Sequence, residues 1–151
     1  MKKMNIISSS AMISLLVMTL SVPVYCQQQP DSVSEQKYTI DNCITEFSMD
    51  SIIKTSAGYQ FWFADKNFID GRTLKMSVVR PHSATHPPHK HVEDEFFFVL
   101  EGTAEFYLDG KTRTAGAYAS FYCPPNVEHG IRNAGDSELK YLVIKKYNSV
   151  R

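Results

Sequence analysis

The sequence predicts an all-β, antiparallel fold, closed or sandwiched. Three observations carry this. Short apolar runs of strand length recur along the chain, separated by Gly, Pro and Asp turns. Several of them alternate with period two, the period of a strand. No long helical stripe, internal repeat or low-complexity tract interrupts them. With 151 residues, 43% of them hydrophobic, the chain has room for one domain with a proper core. That composition excludes a disordered chain and a disulfide-dense miniprotein. The formal charge is zero and no basic patch stands out, so nucleic acid is not an expected partner.

The first residues have a different character. Met1-Lys2-Lys3 is basic, and 11–24 is mostly apolar, centred on Leu15, Leu16, Val17, Met18 and Leu20. Gln27-Gln28-Gln29-Pro30 then turns polar. This is a signal-peptide pattern, and the apolar run is too short and too rich in Ser and Thr for a spanning helix. We expect a leader over 1–26, a linker over 27–36 and a single domain over 37–151, in an exported protein, periplasmic or extracellular. A lipid anchor at Cys26 is the rival reading, although Pro23-Val24-Tyr25 fits such processing poorly. The leader takes two lysines and no acid with it, leaving a mildly acidic mature chain with no transmembrane span. Cys43 and Cys123 then remain, either as a disulfide or as two buried thiols.

The elements follow in order. Residues 37–44 alternate weakly and form a candidate first strand. Residues 49–55 suit a helical turn or a loop. Tyr59 to Ala64 is an aromatic-rich strand, in which Trp62 is expected to pack rather than to stack on a sugar. Thr73 to Arg80 is a half-buried strand after an Asp70-Gly71 turn, with Leu74, Met76 and Val78 on one face. His82 and His86 lie in a loop of Pro, Ser and Thr, as rim histidines or as acid–base groups. Pro87-Pro88 imposes extended backbone before His89.

Phe96 to Glu101 is apolar on both faces. If Glu95 points into a cavity, Phe97 and Val99 do so too, giving the cavity apolar walls, while Phe96, Phe98 and Leu100 need a second cover. Thr103 to Leu108 alternates, placing Ala104, Phe106 and Leu108 together and Tyr107 opposite. Asp109-Gly110 is a hairpin turn. Tyr118 to Cys123, His129 to Arg132 and Leu139 to Ile144 complete the strands, the last suited to a core position. Residues 145–151 form a polar tail.

The chemistry is concentrated in His89-x-His91-x3-Glu95-x6-Gly102. Residues two apart on an extended strand share a face, and Glu95 can close on the same point. Two imidazoles and a carboxylate suit a borderline divalent metal. A second stretch, Gly116 to Asn133, reads as strand, tight turn, strand, and offers His129 as a fourth ligand.

With these two stretches the chain resembles the cupin superfamily, whose first motif is G-x5-H-x-H-x3,4-E-x6-G. His89, His91, Glu95 and Gly102 match it, and Ser83 stands at the leading glycine. The second motif, G-x5-P-x-G-x2-H-x3-N, is matched by Pro124, His129 and Asn133. Asn126 replaces its glycine, and the run from Gly116 to Pro124 is two residues longer than the pattern. Asparagine tolerates the left-handed backbone that the turn needs.

The resemblance implies an antiparallel double-stranded β-helix, a closed jelly-roll barrel. It also implies one divalent ion (Mn, Fe, Ni, Zn or Cu) on His89, His91, Glu95 and His129, and a homodimer. Calcium, which takes oxygen ligands, does not suit this set. The family suggests an isomerase, lyase or dioxygenase acting on a sugar, sugar acid or other small polar compound, or else a non-catalytic small-molecule or carbohydrate-binding module. His82, His86 and Tyr107 are the candidate proton-transfer groups, Tyr107 disfavoured by its strand face.

Overall fold

The computed structural model describes residues 38–147. The expected leader, the linker, the Cys26 anchor point and the last four residues of the tail lie outside the described residues. Residues 37–44 do not extend as a strand over the part described. Ile40–Cys43 is a one-turn helix (α1). Thr39 caps it, its hydroxyl accepting from the Asn42 backbone N–H while the Asn42 side chain accepts from the Thr39 N–H. Such a reciprocal cap outweighs a weak alternation.

Nine strands follow among the described residues: β1 Ile53–Thr55, β2 Gly58–Ala64, β3 Arg72–Val79, β4 Glu95–Glu101, β5 Ala104–Leu108, β6 Lys111–Ala115, β7 Ser120–Cys123, β8 His129–Asn133 and β9 Leu139–Lys146. They form an antiparallel six-stranded sheet in the order β1-β2-β3-β9-β4-β7 and a three-stranded sheet in the order β6-β5-β8. The continuous apolar run of β9 sits between β3 and β4, as its composition demands. The turns carry the expected residues. Asp70 and Gly71, Asp109 and Gly110, and Asn126 all have positive φ.

The expected closed barrel is not what forms. The two sheets face each other as an open sandwich, and among the described residues only one β-bridge outside the named strands, His89 to His129, extends the ladder. The physical reason lies in the flanking residues. Pro88 packs against Gly130, the residue after His129, and proline has no N–H with which to continue the ladder. At the opposite corner β6 passes to β7 through Gly116 to Ala119, with Tyr118 at φ 66°. Pro124 and Pro125 stop β7 at Cys123.

The core between the sheets holds Phe97, Val99, Ala104, Phe106, Ile131, Leu139 and Tyr141. Phe61, Met76 and Val78 form a second cluster, with Phe63, Leu100 and Leu142 packed against it. Thus β3 is covered on both faces, not half-buried: Met76 and Val78 serve one cluster and Val79 the other. Cys43 is exposed and Cys123 buried, and both are free thiols. Burial and the nearby Glu95 charge push the Cys123 thiol well above its usual range, so it stays protonated and unreactive.

Candidate metal centre

The two motif stretches meet through backbone contacts. The single bridge joins His89 and His129 by reciprocal N–H to carbonyl bonds of 3.0 and 2.9 Å. The Asn126 N–H donates to the His91 carbonyl at 2.8 Å, so the left-handed turn supports the histidine loop. Asn133 is fully buried; its amide donates to the Val79 and Ser137 carbonyls at 2.9 and 2.8 Å. The Asn133 N–H donates to the carbonyl of Ser83, the residue in the leading glycine position.

One potential ligand atom from each of His89, His91, Glu95 and His129 falls within 4.8 Å of the others. Only Glu95 and His129 belong to regular strands, each as the first residue. His91 lies in a loop, so the expected i, i+2 strand geometry is replaced by loop placement. Glu95 and His129 are buried.

The second ring nitrogens set the tautomers. Carbonyls only accept, so Nδ1–H of His91 donates to the Glu93 carbonyl at 2.7 Å and Nδ1–H of His129 to that of Val127 at 2.8 Å. A neutral ring held this way keeps a lone pair at Nε2. Those Nε2 atoms lie 3.6 and 3.1 Å from Glu95 Oε1, itself a pure acceptor when ionised. Such contacts are satisfied when a proton or a cation stands among them. Two donors on one transition-metal ion are about 3–4 Å apart, which these separations fit. His91 Nε2 and His89 Nδ1 are buried without a hydrogen-bond partner. Burial first, then the His86 and His129 charges, hold His89 below its usual pKa, against the opposing pull of Glu95. This favours the neutral imidazole that a metal requires.

Beside the cluster is a cavity of about 280 Å³, reached by His89 and Glu95. Phe97 and Val143 give it apolar wall, but Thr55, Gln60, Lys75, Ser77, Tyr141 and Lys145 make it far more polar than the expected apolar-walled pocket. Tyr141 stands across from Ser77 in the β3–β9 register, and burial is the largest influence on its hydroxyl, pushing it above its usual range. Neither lysine stands out in the sequence, because Lys75 alternates with an apolar face and Lys145 falls in the expected tail. Register offers the signal: Lys145 pairs with both Glu95 and Thr73.

The three proton-transfer candidates separate. His86 lines the cavity, its ring 4.4 Å from that of His89. His82 instead pairs with exposed Asp136 at 2.9 Å. The Tyr107 hydroxyl donates to Glu128 at 2.6 Å and lines a different depression, on the outer face of the small sheet. Trp62 packs under Lys75, whose Nζ is 5.1 Å from the ring centroid.

Residues 75–145 match the family described as Cupin domain. Over 72 residues the chain is 38% identical to the H2HPP isomerase of Bacillus subtilis, covering 47% of this chain and 30% of that protein. It is 29% identical over 69 residues to the polyketide synthase CurC of Streptomyces cyaneus, covering 46% and 45%. The chain thus spans less than half the length of these curated relatives. A solved structure from Photorhabdus luminescens superposes with a TM-score of 0.59 at 18% identity, covering 69% of this chain and 87% of that one, a likeness of fold.

Proposed function

Since this chain belongs to the cupin superfamily, we propose that His89, His91, Glu95 and His129 hold one divalent ion of the manganese-to-zinc series, in an enzyme acting on a small polar molecule. One observation carries the metal reading: the Nδ1–H bonds of His91 and His129 aim two Nε2 lone pairs at the buried Glu95 carboxylate. The donor set of imidazoles and one carboxylate suits such an ion. When bound, the ion would supply Lewis acidity toward an oxygen-bearing substrate. The chain's own residues do the rest. The polar cavity orients the substrate, and Tyr141 contributes a hydroxyl-bearing side chain to its wall. His86, at the edge of the cavity, is placed to accept or return a proton, so isomerase or lyase chemistry is the favoured class.

The leader pattern of residues 1–26 supports export, on sequence alone. A homodimer through the outer face of the six-stranded sheet completes the proposal; Phe96, Tyr122 and Ile144, neighbours in register on that face, are all nearly half-exposed.

Elemental analysis of purified protein tests the metal. We expect about one ion per chain, and under a tenth of that in a His91→Ala, His129→Ala double variant, since loss of ligands lowers affinity by orders of magnitude. Full occupancy in the double variant would place the site elsewhere. A screen of sugars, sugar acids and phenols, with and without oxygen, then tests the activity. Anaerobic conversion supports an isomerase or lyase, oxygen uptake a dioxygenase, and binding without turnover a non-catalytic module.

A further inference from the structure

Lys75 is the cation that the metal reading leaves unused. It lies mid-strand in β3 and lines the cavity beside the cluster. Lys145, on the neighbouring strand, has Glu93 at 3.6 Å. Among the described residues no carboxylate lies within ion-pair distance of Lys75, whose ammonium rests on the Trp62 ring. The Thr55 hydroxyl, which lines the same cavity, is buried with no partner. Gln60 also lines it, from β2.

The geometry points to Lys75 as a specificity-determining residue that seats the carboxylate of a small hydroxylated acid, with Thr55 and Gln60 as hydrogen-bond partners of that acid. The register gives the scale. Glu95 pairs through Lys145 with Thr73, and Lys75 is the next residue on that face of β3. Two interstrand spacings, about 10 Å, separate β3 from β4. Side chains reaching inward from both strands leave room for a molecule of a few carbon atoms, one end on the ammonium and the other toward Glu95 and His89. The cavity of about 280 Å³ accommodates it. Desolvation holds the Lys75 ammonium below lysine's usual range, and an anion beside it would offset that. A neutral sugar leaves the half-buried cation unpaired, so the site discriminates against it.

This inference rests on the proposed small-molecule reading but is tested apart from the metal. Trp62 is the only tryptophan in the chain, so its fluorescence reports directly on Lys75. Glycolate, malate and galacturonate are titrated into the full chain, each alongside its primary amide, with metal content measured on the same samples. We expect a saturable Trp62 change with at least one acid. Its amide should bind about tenfold or more weakly, as for a lost hydrogen bond to a charged group. Calorimetry should show a similar loss for that acid with Lys75→Met, and recovery with Lys75→Arg. Amides binding as well as acids, no response to any acid, or undiminished affinity in Lys75→Met would each overturn the assignment. The acid–amide comparison uses unaltered protein and stands even if a variant folds poorly. A chain that lacks metal yet discriminates acid from amide would fail the metal reading and keep this one.

Discussion

Lys75 should be held against stability. Burial lowers its pKa, while the Glu95 charge opposes the shift. The unfolded chain therefore binds more protons between the folded value and the ordinary 10.5. Stability rises as pH climbs through that window, and at pH 7 the native state bears the cost of the half-buried charge. Metal-free Lys75→Met should accordingly be more stable than the parent at pH 7 by about 1 kcal/mol. Partial contact with water keeps this at the low end. Urea unfolding of both proteins from pH 7 to pH 11 checks it. The gap should close toward the alkaline end, and a parent as stable as the variant at pH 7 would contradict it. At this scale the sequence is legible where spacing encodes chemistry. His89, His91 and Glu95 stand out because few other patterns put imidazoles and a carboxylate so close. Lys75 does not, because a lysine alternating with Leu74 and Met76 looks like the wet side of a strand.

Among the elements, the β4–β5 turn depends on Gly102. Its φ is 86°, and a Cβ there would lie 2.5 Å from the Glu138 carbonyl oxygen and 2.9 Å from the Leu139 Cα. Gly110, in the β5–β6 hairpin, has φ 81° but no atom near its missing Cβ. Both glycines carry the left-handed backbone, but only Gly102 adds a clash with another strand. Gly102→Ala should therefore cost about 2–3 kcal/mol and Gly110→Ala about 1 kcal/mol, read from denaturant midpoints. Equal losses would mean that the β9 end yields freely. Strands with an apolar face, such as β4 and β9, were legible from alternation or from unbroken apolar runs. The polar Lys-Thr-Arg-Thr of β6 was implied only by its hairpin turn, because an exposed edge strand needs no apolar face. The one-turn α1 was hidden because its cap is local chemistry, which periodicity does not detect.

For the whole molecule, sheet order and closure depend on long-range pairing that no local pattern reports. The two-layer β architecture followed from short strands and turns; the open edges did not, since they depend on which backbone N–H groups Pro88 and Pro124 withdraw. The same scale governs assembly. Across β9, β4 and β7 the outer face presents Ile144, Phe96 and Tyr122, which are 46%, 45% and 45% exposed. The pairings Phe96–Ile144 and Phe96–Tyr122 make one continuous apolar stripe. Leu100 and Leu142, by contrast, pack against the cluster of Phe61 and Met76, so the chain covers part of this face itself. A second copy laid on the remaining stripe would remove it from water at about 25 cal/mol per Å². Light scattering of the leaderless protein at micromolar concentration should give the mass of a dimer. Phe96→Lys, which places a charge at the centre of the stripe, should shift it to a monomer while the metal content stays unchanged, because Phe96 points away from Glu95 on the same strand. A parent that is monomeric throughout would leave the stripe to another cover and overturn the dimer.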